Sequence, residues 1–448
     1  MINSNKQIVS HALPFAVLFI AISSILSFPK PGNRIIEKLD VTSFWWLVAI
    51  VILIFFLFSK HYFVDKRNDI NMRIVLIYLF WNILSIIRGM FAAEIYWDWK
   101  ALIGNTLALL LPIVTYSATN KTIVQSTLSI YIKYALPLFL IIALMIRPDA
   151  FGFYLIPISF LLLFLPALTK SQKIVVILVT IVVFVADLGA RSNVVKFAIP
   201  ILILLLYYLR NKISIKTIET IRISFFIIPL ILFTLGVSGI FNIFRISDFF
   251  HDEITAMGTD PQGNRVEINI TADTRTFIYS EVISSAIKNN YWLIGRTPAR
   301  GNDSNTFGAK AYELTRRYER LDNEVAVANV FTWTGIIGLV LYMFIFYKAS
   351  WLAINKSNNV FARMIGVLIS FRWLYAWVED INTFTLNYFM LWIMLGLCFS
   401  YSFRNMSNNE CLIWVRGIFD SRYVHYQNYL NKIQKNEKTG NCSLDYKS

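Results

Sequence analysis

"SFWWLVAIVILIFFLFS", residues 43–59, contains no charged side chain and no proline or glycine. A run of this kind approaches the ~20 residues that carry an α-helix across ~30 Å of hydrocarbon, and a helix satisfies all its backbone polar groups internally. Eleven further apolar segments of similar character fall at 8–27, 74–90, 101–118, 128–146, 151–169, 174–190, 193–209, 223–241, 327–347, 360–375 and 384–403. The composition agrees: 56% of the 448 residues are hydrophobic and 15% are charged, against about 25% charged in an ordinary soluble domain. The fold class expected is therefore an all-α polytopic membrane protein with about twelve transmembrane helices. Helices 1 to 9 occupy 1–241, a large loop 242–326, helices 10 to 12 lie in 327–403, and a basic tail fills 404–448. The first segment, after "MINSNKQ", exceeds the ~7–15-residue core of a secretory signal and is read as a retained helix.

Lysine and arginine in the short loops set the orientation. With a cytoplasmic N-terminus, the inside loops carry 13 basic residues and the short outside loops 7. The tail adds seven more on the inside, so both termini are expected in the cytoplasm. The net charge of +15 is then a topology signal plus a tail beside anionic lipid, and no nucleic-acid partner is expected. Cys398, Cys411 and Cys442 fall in the last span or the inside tail, so no outside disulfide is expected.

One connection is long, 242–326, and it is placed outside. Its apolar residues Phe277, Ile278, Val282, Ile283, Ala286 and Ile287 recur at helical spacing, with Asp273 or Thr274 available as N-cap, and "AKAYELTRRYERL" (309–321) suggests a second helix. Within this loop "GRTPARGND", 295–303, sets Arg296 and Arg300 between Gly295, Pro298 and Gly301. Outside as a whole there are 12 Arg against 5 Lys; inside there are 7 Arg against 14 Lys. An arginine excess against the usual topological bias points to phosphate recognition, because the guanidinium fork binds phosphate oxygens bidentately. The plainer alternative is that these arginines pair with the loop's own 12 acidic residues.

Ionisable residues at the ends of apolar segments are costly and tend to mark sites. Arg88, Glu94, Asp98, Lys100, Asp187, Arg191, Lys196, Arg372, Glu379 and Asp380 all lie toward the outer surface on this topology, and none is left near the membrane midplane. A proton- or ion-coupled transporter usually keeps such residues near the midplane. A cavity open to the outer leaflet suits a substrate whose lipid stays in the bilayer while its head group projects outward. Arg88 and Lys100 also fit a role as interfacial anchors, and Glu379 and Asp380 fit a role as helix terminators.

"TADTRTFIYSEVISSAIKNNYWLIGRTPARG" resembles the outside loop of bacterial O-antigen polymerases and O-antigen ligases, with Arg275 opening a helix, Tyr279 four residues on, and "WLIG" ending at Gly295. "LDNEVAVANVFTWTGIIGLVLY" is similar to a ligase-type segment at Asn323, Gly335 and Gly338, and "LGARSNVVKFAIP" to the family's Ser-Arg element at Arg191. Asp322 stands where a ligase usually has histidine, and the loop's one histidine, His251, is distant in sequence, which favours the polymerase side. The resemblance implies a GT-C-type integral membrane glycosyltransferase acting at the periplasmic face of the bacterial inner membrane. Its substrate would be an undecaprenyl-diphosphate-linked oligosaccharide, and its partners a chain-length regulator and a flippase.

The sequence contains no nucleotide-binding glycine loop, no Asp-x-Asp pair and no His/Cys metal spacing, so neither metal nor cofactor is expected. A lipid diphosphate is already a good leaving group, and catalysis by positioning and charge suffices. The expected roles follow. Arg191 and Arg275 hold the donor diphosphate, and Arg296 and Arg300 assist or grip the glycan. Arg88, Lys100, Arg372 and Glu379 line the substrate site, and Asp322 or Glu324 accepts the proton of the attacking hydroxyl unless Asp322 only caps the tenth span. A ligase transferring glycan to lipid A core and a lipid-linked oligosaccharide flippase are the competing expectations, and a non-enzymatic assembly protein comes last.

Overall fold

The computed structural model describes residues 2–63, 66–187, 189–238, 255–259, 265–269 and 276–426. Among them eight helices are long and apolar enough to cross a membrane: α1 (Lys6–Ser23), α2 (Thr42–Phe63), α3 (Ile70–Ala92), α4 (Tyr96–Ala118), α5 (Lys121–Ile142), α7 (Arg191–Tyr208), α8 (Ile215–Gly236) and α11 (Ala326–Asn355). Between and after them come α6 (Lys170–Ala186), α9 (Thr276–Lys288), α10 (Gly308–Thr315), α12 (Val360–Tyr375), α13 (Leu386–Phe399) and α14 (Asn408–Phe419). The protein is thus an all-α, membrane-embedded bundle, with only short strand pairs among the described residues.

Helices that are apolar all round belong either to a core or to lipid, and both kinds occur here. On α2, Ala49, Ile52, Leu53 and Phe56 turn inward, while Phe44, Leu47, Val51 and Phe58 stay exposed on the other face. That second face has no protein to cover it and suits acyl chains. Almost every residue of α12 and α13, by contrast, is buried. These two form the centre, packed by α7, α8, α11 and the C-terminal end of α4.

Three sequence expectations change. The single span expected over 151–169 is instead Phe151–Tyr154, Ile156–Leu162 and a 3₁₀ turn at Leu165–Ala167. Pro157 and Pro166 each sit in the first turn of a piece, where a missing N–H costs nothing but the preceding helix cannot continue. The helix expected over 309–321 stops at Thr315. Arg316 there takes a left-handed φ of 58°, the Thr315 hydroxyl bonds the carbonyl of Arg317, and Glu319–Arg320 pairs as a strand with Asn302–Asp303. The region 404–448 is not wholly a tail: α14 buries Cys411, Trp414, Val415 and Ile418 against the bundle, and Gln125 donates to the Trp414 carbonyl. Its Ser407–Glu410 capping box fixes where that helix starts. Cys398 and Cys411 are buried free thiols, and Cys442 lies outside the described residues.

Candidate functional site

The stretch 291–300 enters a break in α11. At Gly335 the φ, ψ pair is 69°, −172°, so the helix ladder is interrupted there. The groups freed are taken up by the loop: Ile336 N donates to the Trp292 carbonyl at 2.9 Å, Ile337 N to that of Leu293 at 3.4 Å, and Arg296 N to that of Thr332 at 2.7 Å. Irregular backbone among membrane helices is tolerated only when protein satisfies it in this way. Neighbouring spans complete the clamp. The Arg88 guanidinium donates to the carbonyls of Ile294 (2.7 Å) and Gly295 (2.9 Å), Asn105 Nδ2 to that of Pro298 (2.9 Å), and Trp81 Nε1 to that of Thr334 (2.9 Å). Arg88 therefore holds the loop, and Lys100 stacks over Trp97 of its own helix at 4.9 Å.

The loop arginines are largely satisfied by carboxylates. Arg296 reaches Asp303 and Glu319, both at 2.8 Å, and Arg300 forms a two-pronged pair with Glu319. Arg317 pairs with Glu94 and Asp98, and Arg320 with Glu324 at 3.2 Å. Burial pushes the Asp303 carboxyl up, but bonds from Lys288, Arg296 and Asn289 outweigh it and hold the group down to about 2. Arg296 and Arg300 thus fasten the loop to the strand at Glu319–Arg320. The plainer expectation describes their geometry, and Glu324 is likewise engaged.

A second group of charges gathers where the loop side of α7 meets the C-terminal end of α12. Lys196 Nζ lies 3.5 Å from Glu379, 3.2 Å from the Ser192 hydroxyl and 4.7 Å from the centre of the Phe153 ring. Arg372, on α12, donates to Asn387 Oδ1 at 2.6 Å, and the Tyr375 hydroxyl reaches the Ser192 carbonyl at 3.2 Å. Lys196 and Arg372 are each only 5% exposed. Arg191 occupies the first position of α7, exposed, one residue from Ser192 and so at the edge of this group.

The segment before α11 is stitched to the segment after α12. Ala326 N donates to the Glu379 carbonyl, Val327 N to that of Ala376, and Asn382 Nδ2 to that of Ala326. Asn329 bonds both backbone groups of Asn323 and reaches Asp380 at 3.4 Å. This stitching brings Asp322 and Asp380, 58 positions apart in the numbering, close enough to repel each other. Burial, then the neighbouring Asp322 and Glu379, push the Asp380 carboxyl up to about 7. Asp322 does not cap α11; the capping position is Val325, and burial pushes the Asp322 carboxyl up while a hydrogen bond from Asn105 and the nearby Arg320 oppose the shift.

Of the residues expected from sequence, the fold therefore brings Asp322, Arg191, Arg372 and Glu379 to one region and assigns Arg88, Arg296 and Arg300 to holding the loop. Arg275 and His251 lie outside the described residues, as do Asp273 and Thr274. Lys196 and Asp380 join the group by packing, and their only signal in the sequence was a charge at the end of an apolar run. No family model matches the chain, and no curated protein or solved structure matches it either.

Proposed function

We propose that this protein is a metal-independent membrane glycosyltransferase that polymerises undecaprenyl-diphosphate-linked oligosaccharide repeat units. The observation that carries the reading is the meeting of Asp322 with Asp380, Glu379, Lys196, Arg372 and the edge residue Arg191 at one end of an apolar bundle. The four apolar stretches 151–168, α6, α12 and α13 would bring the eight longer helices to twelve crossings in a GT-C arrangement. Both termini are then cytoplasmic, and the loop 242–326 faces the periplasm of a bacterial inner membrane.

In this reaction the acceptor sugar hydroxyl attacks the anomeric carbon of the donor. The bond from that carbon to the diphosphate oxygen breaks, and its electron pair leaves on undecaprenyl diphosphate. The hydroxyl proton passes to Asp322, whose carboxyl burial pushes above the ordinary range despite the hydrogen bond from Asn105, so that it holds a proton more readily than a free carboxylate. Arg191, with Arg275, neutralises the charge that grows on the leaving group. Glu324 is the second choice as base, since Arg320 already engages it.

Arg191→Ala and Arg275→Ala variants, at normal membrane level, are expected to abolish long-chain polysaccharide on a gel. Wild-type chain lengths in both would remove the assignment. Accumulation of single repeat units marks loss of a polymerase, whereas finished polymer left on undecaprenyl diphosphate marks loss of a ligase.

A further inference from the structure

Trp292, Leu293 and Ile294 are three consecutive exposed apolar residues, 53%, 45% and 38% open, in a loop whose next six residues are buried or half-buried. Such a run is out of place against water unless it serves a contact. The turn that carries it is closed on itself and on the helices. Gly295 N donates to the Tyr291 carbonyl at 2.8 Å, and the carbonyls of Trp292, Leu293, Ile294 and Gly295 accept from Ile336 N, Ile337 N and the two terminal nitrogens of Arg88. Every carbonyl from Tyr291 to Gly295 is therefore served by protein. A turn standing in water can leave such groups to solvent, and one standing in hydrocarbon cannot.

The three side chains also continue a surface that faces lipid. Ile336, Val340, Phe344 and Tyr347 recur at helical spacing as one exposed stripe down α11 from its break. Phe80, Ile83, Ile87 and Met90 form an exposed face of α3, which packs on α11. Trp292 is bonded to the first helix at Ile336, and Ile294 to the second at Arg88. The other end of α11 gives the depth. Lys348 and Lys356 both lie over the Trp351 ring, at 5.2 and 5.8 Å, an aromatic and basic group of the kind that sits at a membrane interface. The ~20 residues that cross the hydrocarbon, counted back from Trp351, end near Phe331, so Ile336 and the turn bonded to it lie roughly 7 Å inside the opposite boundary.

We propose that 291–295 is a re-entrant turn, which dips into the bilayer beside α3 and α11 and sets Trp292, Leu293 and Ile294 against the acyl chains of the leaflet on the loop's side. Its partner is lipid hydrocarbon rather than a head group, because the three side chains are uncharged and Arg88 is engaged by the turn's own carbonyls. The turn ties the loop that carries Arg296 and Arg300 to the membrane as well as to Glu319. This embedding does not depend on what the protein transfers.

The test uses the unaltered full-length protein in phospholipid nanodiscs that contain one of two photoreactive lipids, with a diazirine either within the acyl chain or on the head group. After irradiation, denaturation and trypsin digestion, mass spectrometry locates the label. Cleavage after Lys288 and Arg296 isolates 289–296, cleavage after Arg73 and Arg88 isolates 74–88 from α3, and cleavage after Lys310 and Arg316 isolates 311–316 as the aqueous reference. The acyl-chain probe is expected to mark residues 292–294 with a yield within about threefold of that on 74–88, since both lie among acyl carbons, and to leave 311–316 unmarked. The head-group probe should mark 289–296 less than the acyl-chain probe does. Stronger marking by the head-group probe would place the turn on the bilayer rather than in it and overturns the proposal. So does a 289–296 segment left unmarked by both probes while 74–88 is marked, the outcome if water or a second copy of this chain covers the three side chains.

Discussion

Gly295 and Gly335 meet backbone to backbone. Their φ angles are 77° and 69°, and a Cβ on Gly295 would stand 2.6 Å from the amide nitrogen of Gly335, one on Gly335 2.5 Å from that of Gly295. Neither residue can carry a side chain without parting the loop from the broken helix. Gly295→Ala and Gly335→Ala should each cost at least about 2 kcal/mol, combining the left-handed backbone penalty with the clash. Thermal unfolding of the purified protein measures this, and a midpoint within a degree of wild type in either variant would contradict the contact.

Arg88 should tolerate no replacement by lysine. Its two nitrogens serve two carbonyls, Ile294 and Gly295, and an ammonium at the end of a flexible stem does not reproduce that fork. Arg88→Lys is expected to lose about 1.5–3 kcal/mol, the value of one hydrogen bond to a charged group. Limited proteolysis should then cut near 291–300 faster than in the wild type, and equal cutting rates would refute the clamp.

Glu319 should matter more to stability than either arginine it serves. It accepts from both Arg296 and Arg300 and is 7% exposed. Glu319→Gln leaves two partly buried guanidiniums short of charge and should cost about 2 kcal/mol or more. A double-mutant cycle of Glu319 with Arg300 measures the coupling, which should be clearly non-zero.

Asp303 and Asp380 should give the unfolding midpoint opposite dependences on pH. Asp303 is held down to about 2, so its stabilisation is complete above the ordinary carboxylate range and is lost as pH falls through about 2. Solvent screening limits it to about 1 kcal/mol. Asp380 is raised to about 7, so the folded protein keeps a proton there that the unfolded chain has released. Its effect is loss of stability as pH rises from the ordinary range to about 7, and none beyond. Asp380→Asn should shrink the drop in midpoint between about pH 5 and about pH 8 and should raise the midpoint at the higher value. An unchanged drop would contradict the raised carboxyl.

The sequence was legible where one physical rule dominates. Apolar runs such as 43–59 became α2 because nothing in them competes with a membrane helix. The period of Ile278, Val282 and Ala286 became the buried face of α9. The break at Gly335 was not legible, because a glycine inside an apolar run still reads as helix until a second backbone arrives to satisfy the freed groups. Nor was the pairing of Lys196 with Glu379, which are 183 positions apart in the numbering and meet only when α7 packs on α12. Arg296 and Arg300 show the converse: their arginine bias was visible, but the partner Glu319 sat inside a stretch that local propensity assigned to a helix.

The most direct measurement is to incubate the purified protein with a synthetic undecaprenyl-diphosphate-linked repeat unit and to separate the products by length. A ladder of successive repeat units, lost in Arg191→Ala and Asp322→Asn protein of normal stability, is the predicted result. A repeat unit recovered at its starting length from folded wild-type protein would contradict the account.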